Sequence, residues 1–285
     1  LRSNTMKKQF TLFAATALAA MTVVPTIGFA DDSASKTSIT YDSKGTVEFV
    51  APTNSDTPNK PLDPTNPDPN KPLDPKNRYG KNPYPGTKGP ITLDFASSFD
   101  FGKQEITSVD KTYNASAQLL GDGKYVPDYA QITDNRGTFA GWTLSVKELD
   151  NFHTSTKVDL KATQINFKNL NHATTNTLKT DVSMPSAGFV IKPGADDTTP
   201  GASVNIMSGA KAADGKTNGT SGTHIIRFGN DDSLKTDDTQ ANGEKRANTV
   251  DPSVTLDVPG ASDKMAKMYT TTLQWTLGET PTTID

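Results

Sequence analysis

The chain has 285 residues, a formal net charge of -3 and no cysteine. The lack of cysteine excludes disulfide scaffolds, thiol nucleophiles and thiolate metal sites. The weak and evenly mixed charge gives no electrostatic footprint for nucleic acid. A hydrophobic content of only 33% indicates that part of the chain lies outside a folded core.

The N-terminal residues have the layout of a secretory signal. Two lysines after Met6 precede an apolar run over residues 10–24, and Gly28 and Ala30 occupy the positions that a signal peptidase reads. We therefore expect translation from Met6, cleavage after Ala30 and export of the mature chain. No later apolar run reaches membrane-spanning length, and the C-terminus has no sorting motif. These features predict non-covalent attachment at a surface, without a membrane span in the mature chain.

Residues 31–51 follow the predicted signal region (1–30). Within them, the runs 37–41 and 46–50 alternate around a loop that ends in Gly45, which predicts a β-hairpin. Because a lone hairpin is marginal in water, we expect it to add to the sheet of the following domain.

A proline-rich segment comes next. Residues 52–90 hold 11 of the 19 prolines, and the hexapeptide Asn-Lys-Pro-Leu-Asp-Pro at 59–64 recurs at 70–75. This density of proline predicts an extended, polyproline-like spacer over 52–88. A ligand for an SH3-type domain is the alternative interpretation of the segment.

From residue 89 to 285 the pattern changes to short alternating runs separated by Gly, Asn and Asp turns. Ile91, Leu93 and Phe95 alternate with polar residues, and similar runs follow at 142–146, 165–167 and 273–277. The pattern predicts an all-β fold, an antiparallel β-sandwich or barrel-like domain. We also predict one short helix over 262–268, and a long polar surface loop or disordered insert over 194–222.

The charged and histidine residues do not define a catalytic or metal site. The acidic pairs at 196–197, 231–232 and 237–238 lie in polar loops, where solvated turn residues are typical. The three histidines are far apart in sequence, and each is expected to be a surface or capping residue. The sequence has no GxSxG, HExxH or P-loop motif. It therefore predicts a protein that is not an enzyme and has no cofactor, with calcium at an Asp-rich loop as an alternative.

The only two tryptophans occur in the same tripeptide, Trp-Thr-Leu, at 142–144 and at 275–277. In a strand, the Trp and the Leu of each copy share one face, and the Thr takes the other. Both copies could contribute to a common core, because a Trp buries a large apolar area. Alternatively, at least one copy is exposed and docks on a polymer or a protein partner.

With this context, the chain resembles the WxL-domain cell-surface proteins of low-GC Gram-positive bacteria. The first motif is Arg-Gly-Thr-Phe-Ala-Gly-Trp-Thr-Leu-Ser-Val at 136–146. The second follows the pattern Tyr-x5-Trp-x-Leu-x3-Pro at 269–281, with Gln274 where the family usually has Thr. The motif positions taken over as candidate binding residues are Trp142, Leu144, Tyr269, Trp275, Leu277 and Pro281.

The resemblance implies a secreted protein that is held non-covalently to the peptidoglycan of the cell wall. It also implies assembly with a membrane-tethered WxL-interacting protein or with other WxL proteins. The alternative hypothesis is a protein-interaction subunit or adhesin that binds a partner surface protein or host matrix. A wall-active hydrolase is a third hypothesis, which the absence of a catalytic motif disfavours.

Overall fold

The structure is a computed structural model that describes residues 40–52, 57–77, 82–178, 180–196, 199–236 and 249–284. The chain divides into two compact units, Leu1–Glu48 and Phe49–Asp285. The predicted signal region lies outside the described residues. The second unit begins well before residue 89, so the predicted start of the folded domain is too late.

The predicted N-terminal hairpin is wrong in its described part. Residues 40–50 form no strand, and all of them are exposed. The apolar side chains of the expected second strand, Val47, Phe49 and Val50, are among the most exposed in the chain. Two short strands need apolar packing to persist in water, and this run does not have it. The first expected strand lies mostly outside the described residues.

The second unit is all-β, as the alternating pattern predicts, and all of its strand pairs are antiparallel. One four-stranded sheet, which we call the motif sheet, has the order β10 (Val182–Ser183), β12 (Val204–Gly209), β7 (Trp142–Glu148) and β16 (Leu273–Gly278). A second sheet, which we call the strap sheet, has the order β2 (Ile91–Ala96), β6 (Tyr129–Asp134), β13 (Gly222–Phe228) and β9 (Leu170–Thr174).

Two further sheets complete this unit. The five-stranded sheet has the order β11 (Phe189–Ile191), β8 (Gln164–Phe167), β15 (Thr249–Val258) and β14 (Lys235–Thr236), and β3 (Lys111–Ser116) also pairs with β15. The smallest sheet consists of β1 (Pro75–Lys76), β4 (Gln118–Leu120) and β5 (Tyr125–Val126). A 3-10 turn covers Asp231–Ser233, and the described residues contain no α-helix.

The motif sheet, the strap sheet and the five-stranded sheet contribute to one apolar core in a barrel-like arrangement. Phe167 is at its aromatic centre, stacked on Phe189 with ring centroids 4.4 Å apart. Phe228 meets Phe167 edge-on at 4.8 Å, and Phe99 does so at 5.2 Å. Aromatic rings from separate strands therefore interlock where the alternating pattern places one apolar side chain every second residue.

Two predictions for the C-terminal half are wrong. Residues 262–268 form turns instead of a helix, because the Ser262 hydroxyl donates to the carbonyl of Lys161 and the Lys264 ammonium donates to three carbonyls of the turn. The polar stretch 194–222 contains β12, whose Ile206 and Met207 are completely buried. A single strand supplies few apolar residues, so the overall polar composition of this stretch does not indicate the strand.

The proline-rich segment is not a free spacer. Residues 57–76, which we call the strap, lie on the outer face of the strap sheet, where Leu62 is only 5% exposed. Leu62 packs in a second apolar cluster with Phe95, Tyr129 and Ile225. The strap covers one face of the sheet and the main core covers the other, and all six residues of β6 are therefore buried. The spacer prediction fails here because this sheet has apolar residues on both faces.

We expect Leu62→Ala to lower the free energy of unfolding by about 2–5 kcal/mol, the usual cost of a large-to-small change in a core. Leu73, the equivalent leucine of the second hexapeptide, is half-buried, so Leu73→Ala should cost clearly less. Chemical denaturation of both variants checks this prediction. Equal and small losses would show that the strap does not pack as described.

Candidate functional site: the paired Trp-Thr-Leu strands

The two Trp-Thr-Leu segments lie next to each other in the motif sheet. β7 and β16 pair antiparallel, with Leu144 opposite Leu277 and Val146 opposite Trp275. Directly opposite residues of an antiparallel pair share one face of the sheet. The apolar faces of the two motifs therefore form one continuous surface, which packs on the main core.

Trp142 is a core residue, with 0% of its side chain exposed. Its indole Nε1 donates a hydrogen bond of 2.9 Å to the carbonyl oxygen of Thr220, which satisfies the polar atom of the buried ring. The ring lies over Gly209, the residue opposite Trp142 in β12. A Cβ at Gly209 would come within 2.7 Å of the indole Cε2. The position must therefore be glycine for the ring to fit.

The second motif is less buried than the first. β16 is the terminal strand of the motif sheet, and Trp275 and Leu277 are half-buried against the core. Tyr269 also packs on the core, and its hydroxyl accepts a hydrogen bond of 2.8 Å from the Met265 amide. Pro281 is half-buried. Of the six candidate residues, Trp142 and Leu144 have no accessible face, and the four of the second motif reach the surface.

An ion pair links the first residue of the first motif to the residue after β16. The Arg136 guanidinium binds the Asp134 carboxylate with two hydrogen bonds, of 2.9 Å from Nε and 2.8 Å from Nη2. The side chains are only 9% and 2% exposed, and Nη1 lies 3.7 Å from a carboxylate oxygen of Glu279. The hydrogen bond to Asp134 raises the pKa of Arg136. Bidentate geometry compensates for the desolvation of two charges.

The threonine in the middle of the first motif holds the segment that follows the second. Thr143 faces away from the core, and its hydroxyl donates to the carbonyl of Thr280 at 2.8 Å. The Thr282 hydroxyl lies 2.7 Å from the Thr143 hydroxyl oxygen, and the Thr282 amide donates to the Ser208 hydroxyl of β12 at 3.1 Å. These contacts fasten the residues after β16 across the outer face of the motif sheet. A sequence reading that treats the Thr as a spacer between Trp and Leu misses them.

Two neighbouring histidines lie next to Trp142, of which His224 is completely buried and His172 is half-buried. The Trp142 and His224 ring centroids are 5.2 Å apart, and the His172 ring stacks on His224 with a nitrogen-to-nitrogen distance of 3.0 Å. His224 Nε2 lies 3.1 Å from the carbonyl oxygen of Ser221, so this nitrogen donates, and Nδ1 accepts from His172. Burial lowers the pKa of each histidine to about 4. The prediction of surface or capping histidines is wrong for these two, because the pairing of β9 with β13 brings them together.

A shallow cavity of about 450 Å³ opens beside the first motif. Asp134, Phe139 and Ser221 line it, together with Val50 and Pro52 from the chain before the strap. Phe139 has a φ of 51°, a left-handed conformation that is rare for a bulky residue. The loop of the first motif therefore contributes Phe139 to the lining of this concave surface.

The outer face of the motif sheet is polar. Thr276, Ser145 and Asn205 form one row across three strands, and Gln274 and Lys147 form the next. Their side chains alternate with the apolar residues that face the core. This surface therefore presents hydroxyl, amide and ammonium groups and no large apolar side chain.

The described residues contain no group of three or more His, Asp or Glu side chains that could hold a metal ion. No helix in the described part of the chain is long and apolar enough to cross a membrane.

A sequence profile of the family described as "WxL domain surface cell wall-binding" matches residues 36–281. The chain belongs to the WxL family. Comparison with curated proteins and with solved structures produced no match. The WxL match includes the strap as well as both motifs, in agreement with a folded unit that begins before residue 89. The protein therefore carries a cell-wall-binding surface domain, and the family is one of attachment at the cell surface and not of catalysis.

We expect Gly209→Ala to destabilise the WxL domain by about 1–3 kcal/mol, the usual cost of overpacking a core. The added methyl group would overlap the Trp142 ring, which is held on its other side by the core. Gly278→Ala is the matched control in the same sheet, because its Cβ would meet only the Thr143 carbonyl at 3.8 Å. Thermal denaturation of the two variants checks this prediction, and equal melting temperatures would contradict it.

The histidine pair predicts a pH dependence of stability. An unfolded histidine titrates near 6.5, and the folded pair has pKa values of about 4. The unfolded state therefore binds more protons between these values, and the stabilising contribution of the neutral pair is lost as the pH falls from 6.5 to 4. Glu148 and Asp251 act in the opposite sense, because burial raises their pKa values to about 7 and about 6.

His224→Gln isolates the contribution of the histidine, since both carboxyl groups are present in the variant and in the wild type. In this pH interval the slope of unfolding free energy against pH should be lower in the variant by up to about 1.4 kcal/mol per pH unit. Denaturation curves at several pH values measure the slope, and NMR titration of the imidazole signals measures the two pKa values. Imidazole titration near 6.5 would contradict the burial of the pair.

Proposed function

We propose that this WxL domain attaches the protein non-covalently to peptidoglycan, through the surface around β16. The match to the cell-wall-binding family over residues 36–281 carries the proposal. A role in attachment also agrees with the sequence features that predict export.

The choice of β16 follows from which motif residues a ligand can reach. Trp142 is completely buried, whereas Trp275 is half-buried at the edge of the motif sheet. An indole ring at an edge can stack on the apolar face of a sugar. Gln274 and Thr276 are exposed on the outer face beside it, and their amide and hydroxyl groups can bind sugar hydroxyl groups.

In this proposal the first motif acts through the fold. Leu144 and Val146 lie opposite Leu277 and Trp275 in the paired strand and help to fix the position of β16, and Thr143 holds the segment after it. The domain has no part in bond cleavage. Incubation with wall material should therefore release neither reducing ends nor muropeptides.

We expect purified protein to pellet with isolated Gram-positive cell walls, and Trp275→Ala to weaken this binding at least ten-fold while the domain still folds. Tyr84→Ala is the control, because Tyr84 is an aromatic residue outside the motifs and is 93% exposed. Trp142→Ala should instead cost about 3–5 kcal/mol of stability or abolish folding. Walls stripped of their secondary polymers identify peptidoglycan as the ligand if they retain the protein.

Failure of the wild type to pellet would refute wall binding itself. If the folded Trp275→Ala variant binds cell walls as strongly as the wild type does, the β16 site is refuted but wall binding is not. If stripped walls no longer retain the protein, the ligand is a secondary polymer and not peptidoglycan.

A second candidate function is assembly with a protein partner, such as a membrane-tethered WxL-interacting protein, another WxL protein or host matrix. The observation that favours it is the position of β16 at the end of the motif sheet, since an edge strand is a template for a strand from another chain. Pull-down from a surface extract whose wall polymers have been digested tests this candidate. A specific protein retained there would support it, and loss of all binding after digestion would refute it.

A further inference from the structure

The strap contains two copies of one hexapeptide, and the WxL domain holds them in different ways. The first copy, at 59–64, lies directly on the strap sheet, with Leu62 and Pro64 buried. The second copy, at 70–75, has its Asn, Lys, first Pro and Asp exposed, its Leu half-buried and its last Pro buried. The same six residues therefore meet two different environments.

One side chain holds the backbone of the first copy. Gln131 of β6 donates from Nε2 to the carbonyl of Lys60 at 3.1 Å and accepts from the amide of Leu62 at 2.8 Å. The side-chain amide of Gln131 thus pairs with the backbone of the strap in the way that the backbone of a neighbouring strand would. Gln131 is itself completely buried, so its two bonds are shielded from water.

Both ends of the first copy are also bound. The Asn59 amide donates to the Thr92 hydroxyl at 2.9 Å and to the Asp94 carboxylate at 3.3 Å. At the other end, the Arg227 guanidinium donates to the carbonyl of Pro64 at 3.0 Å. The contacts extend from the first to the last residue of the hexapeptide.

The site beneath the first copy is a built polar and apolar surface. The buried Asp94 carboxylate accepts bonds of 2.6 Å from Thr92, 2.6 Å from Thr133 and 2.9 Å from Gln131, which orients the groups that meet the strap. Beside it the Leu62 side chain belongs to an apolar cluster with five other buried residues. These residues are Phe95, Leu120, Val126, Tyr129 and Ile225.

The second copy makes none of these polar contacts in the described structure. Its Asn70 side chain donates to Asp68, and its Leu73 amide donates to the Pro61 carbonyl at 2.8 Å. Pro75 pairs with Leu120 in the smallest sheet. The second copy therefore lies against the first, and most of its residues face solvent.

We propose that the outer face of the strap sheet is a peptide-binding groove for the sequence Asn-Lys-Pro-Leu-Asp-Pro. The first hexapeptide fills this groove within its own chain. The second hexapeptide of another molecule of the same protein can fill it between molecules. Each chain has one groove and two hexapeptides that match it, and the second hexapeptide is largely exposed. The inference is independent of wall binding.

The intramolecular ligand has an effective concentration in the millimolar range, as is typical for a short tether. Binding between molecules therefore requires displacement of the first copy or a high local density of chains. A surface on which many copies are held together supplies such a density.

The groove can be opened in the full chain by Leu62→Asp together with Leu73→Asp, because both leucines would then resist burial. A labelled peptide of residues 57–68 should bind this double variant at least ten-fold more tightly than it binds the wild type, whose groove is filled. The same peptide with Leu62→Asp should not bind. The additional substitution Gln131→Met in the double variant should weaken binding at least ten-fold. A folded double variant that ignores the peptide would overturn the proposal.

If the double variant does not fold, a protease site inserted after Tyr84 gives a second route. The chain folds first, the protease then cuts at this exposed position, and a labelled peptide of residues 57–77 is added in excess. Incorporation of the label supports a groove that exchanges its ligand. No incorporation after prolonged incubation overturns it.

A second experiment tests the identity of the partner by mixing the double variant, as acceptor, with wild-type chains, as donors of the second hexapeptide. The two proteins should form a one-to-one complex, measured by size-exclusion chromatography with light scattering. Donor chains with Leu73→Asp should not form it, since their second copy lacks the leucine that fills the groove. If the double variant binds the peptide but not the wild-type chain, another molecule of this protein is not the partner.

Discussion

The pairing of β7 with β16 is the contact on which the rest of the WxL domain depends. It places Leu144 opposite Leu277 although the two residues are far apart in the chain, and it gives the core one of its walls. The Arg136 ion pair with Asp134 and Glu279 and the Thr143 bond to Thr280 then fasten the ends of the two motifs. Pairing two strands that are far apart in the chain costs conformational entropy, because a long loop must be closed. The burial of the apolar faces of both strands compensates for this cost.

This arrangement explains why the two identical tripeptides have different roles. In the interior strand β7, which has neighbouring strands on both sides, the Trp142 ring lies over a glycine of β12 and is part of the core. In the terminal strand β16, one side of Trp275 has no neighbour in the sheet, and part of its surface stays accessible. The position of a strand in the sheet, and not its sequence, therefore separates a structural Trp from a candidate binding Trp.

The strap sheet shows a different kind of dependence. Its outer face combines apolar residues such as Tyr129 with buried polar residues such as Asp94 and Gln131, which need hydrogen-bond partners when water is excluded. Proline removes donors from the strap, and the Gln131 amide fits the carbonyl and amide groups that remain. A segment whose composition is typical of a spacer is thus held on the sheet by the buried Gln131 amide together with the packing of Leu62.

From the sequence alone, the alternation around Ile91, Trp142 and Leu273 determined an antiparallel all-β domain, and the two Trp-Thr-Leu motifs determined the family. Local periodicity is enough for the fold class, because it states which side of a strand is apolar, whereas the family follows from the resemblance of the motifs. Only the tertiary structure decided that Trp142 is buried, that His172 meets His224, and that Leu62 anchors the strap. Each depends on which strands become neighbours, and residues far apart in the chain determine that through their packing.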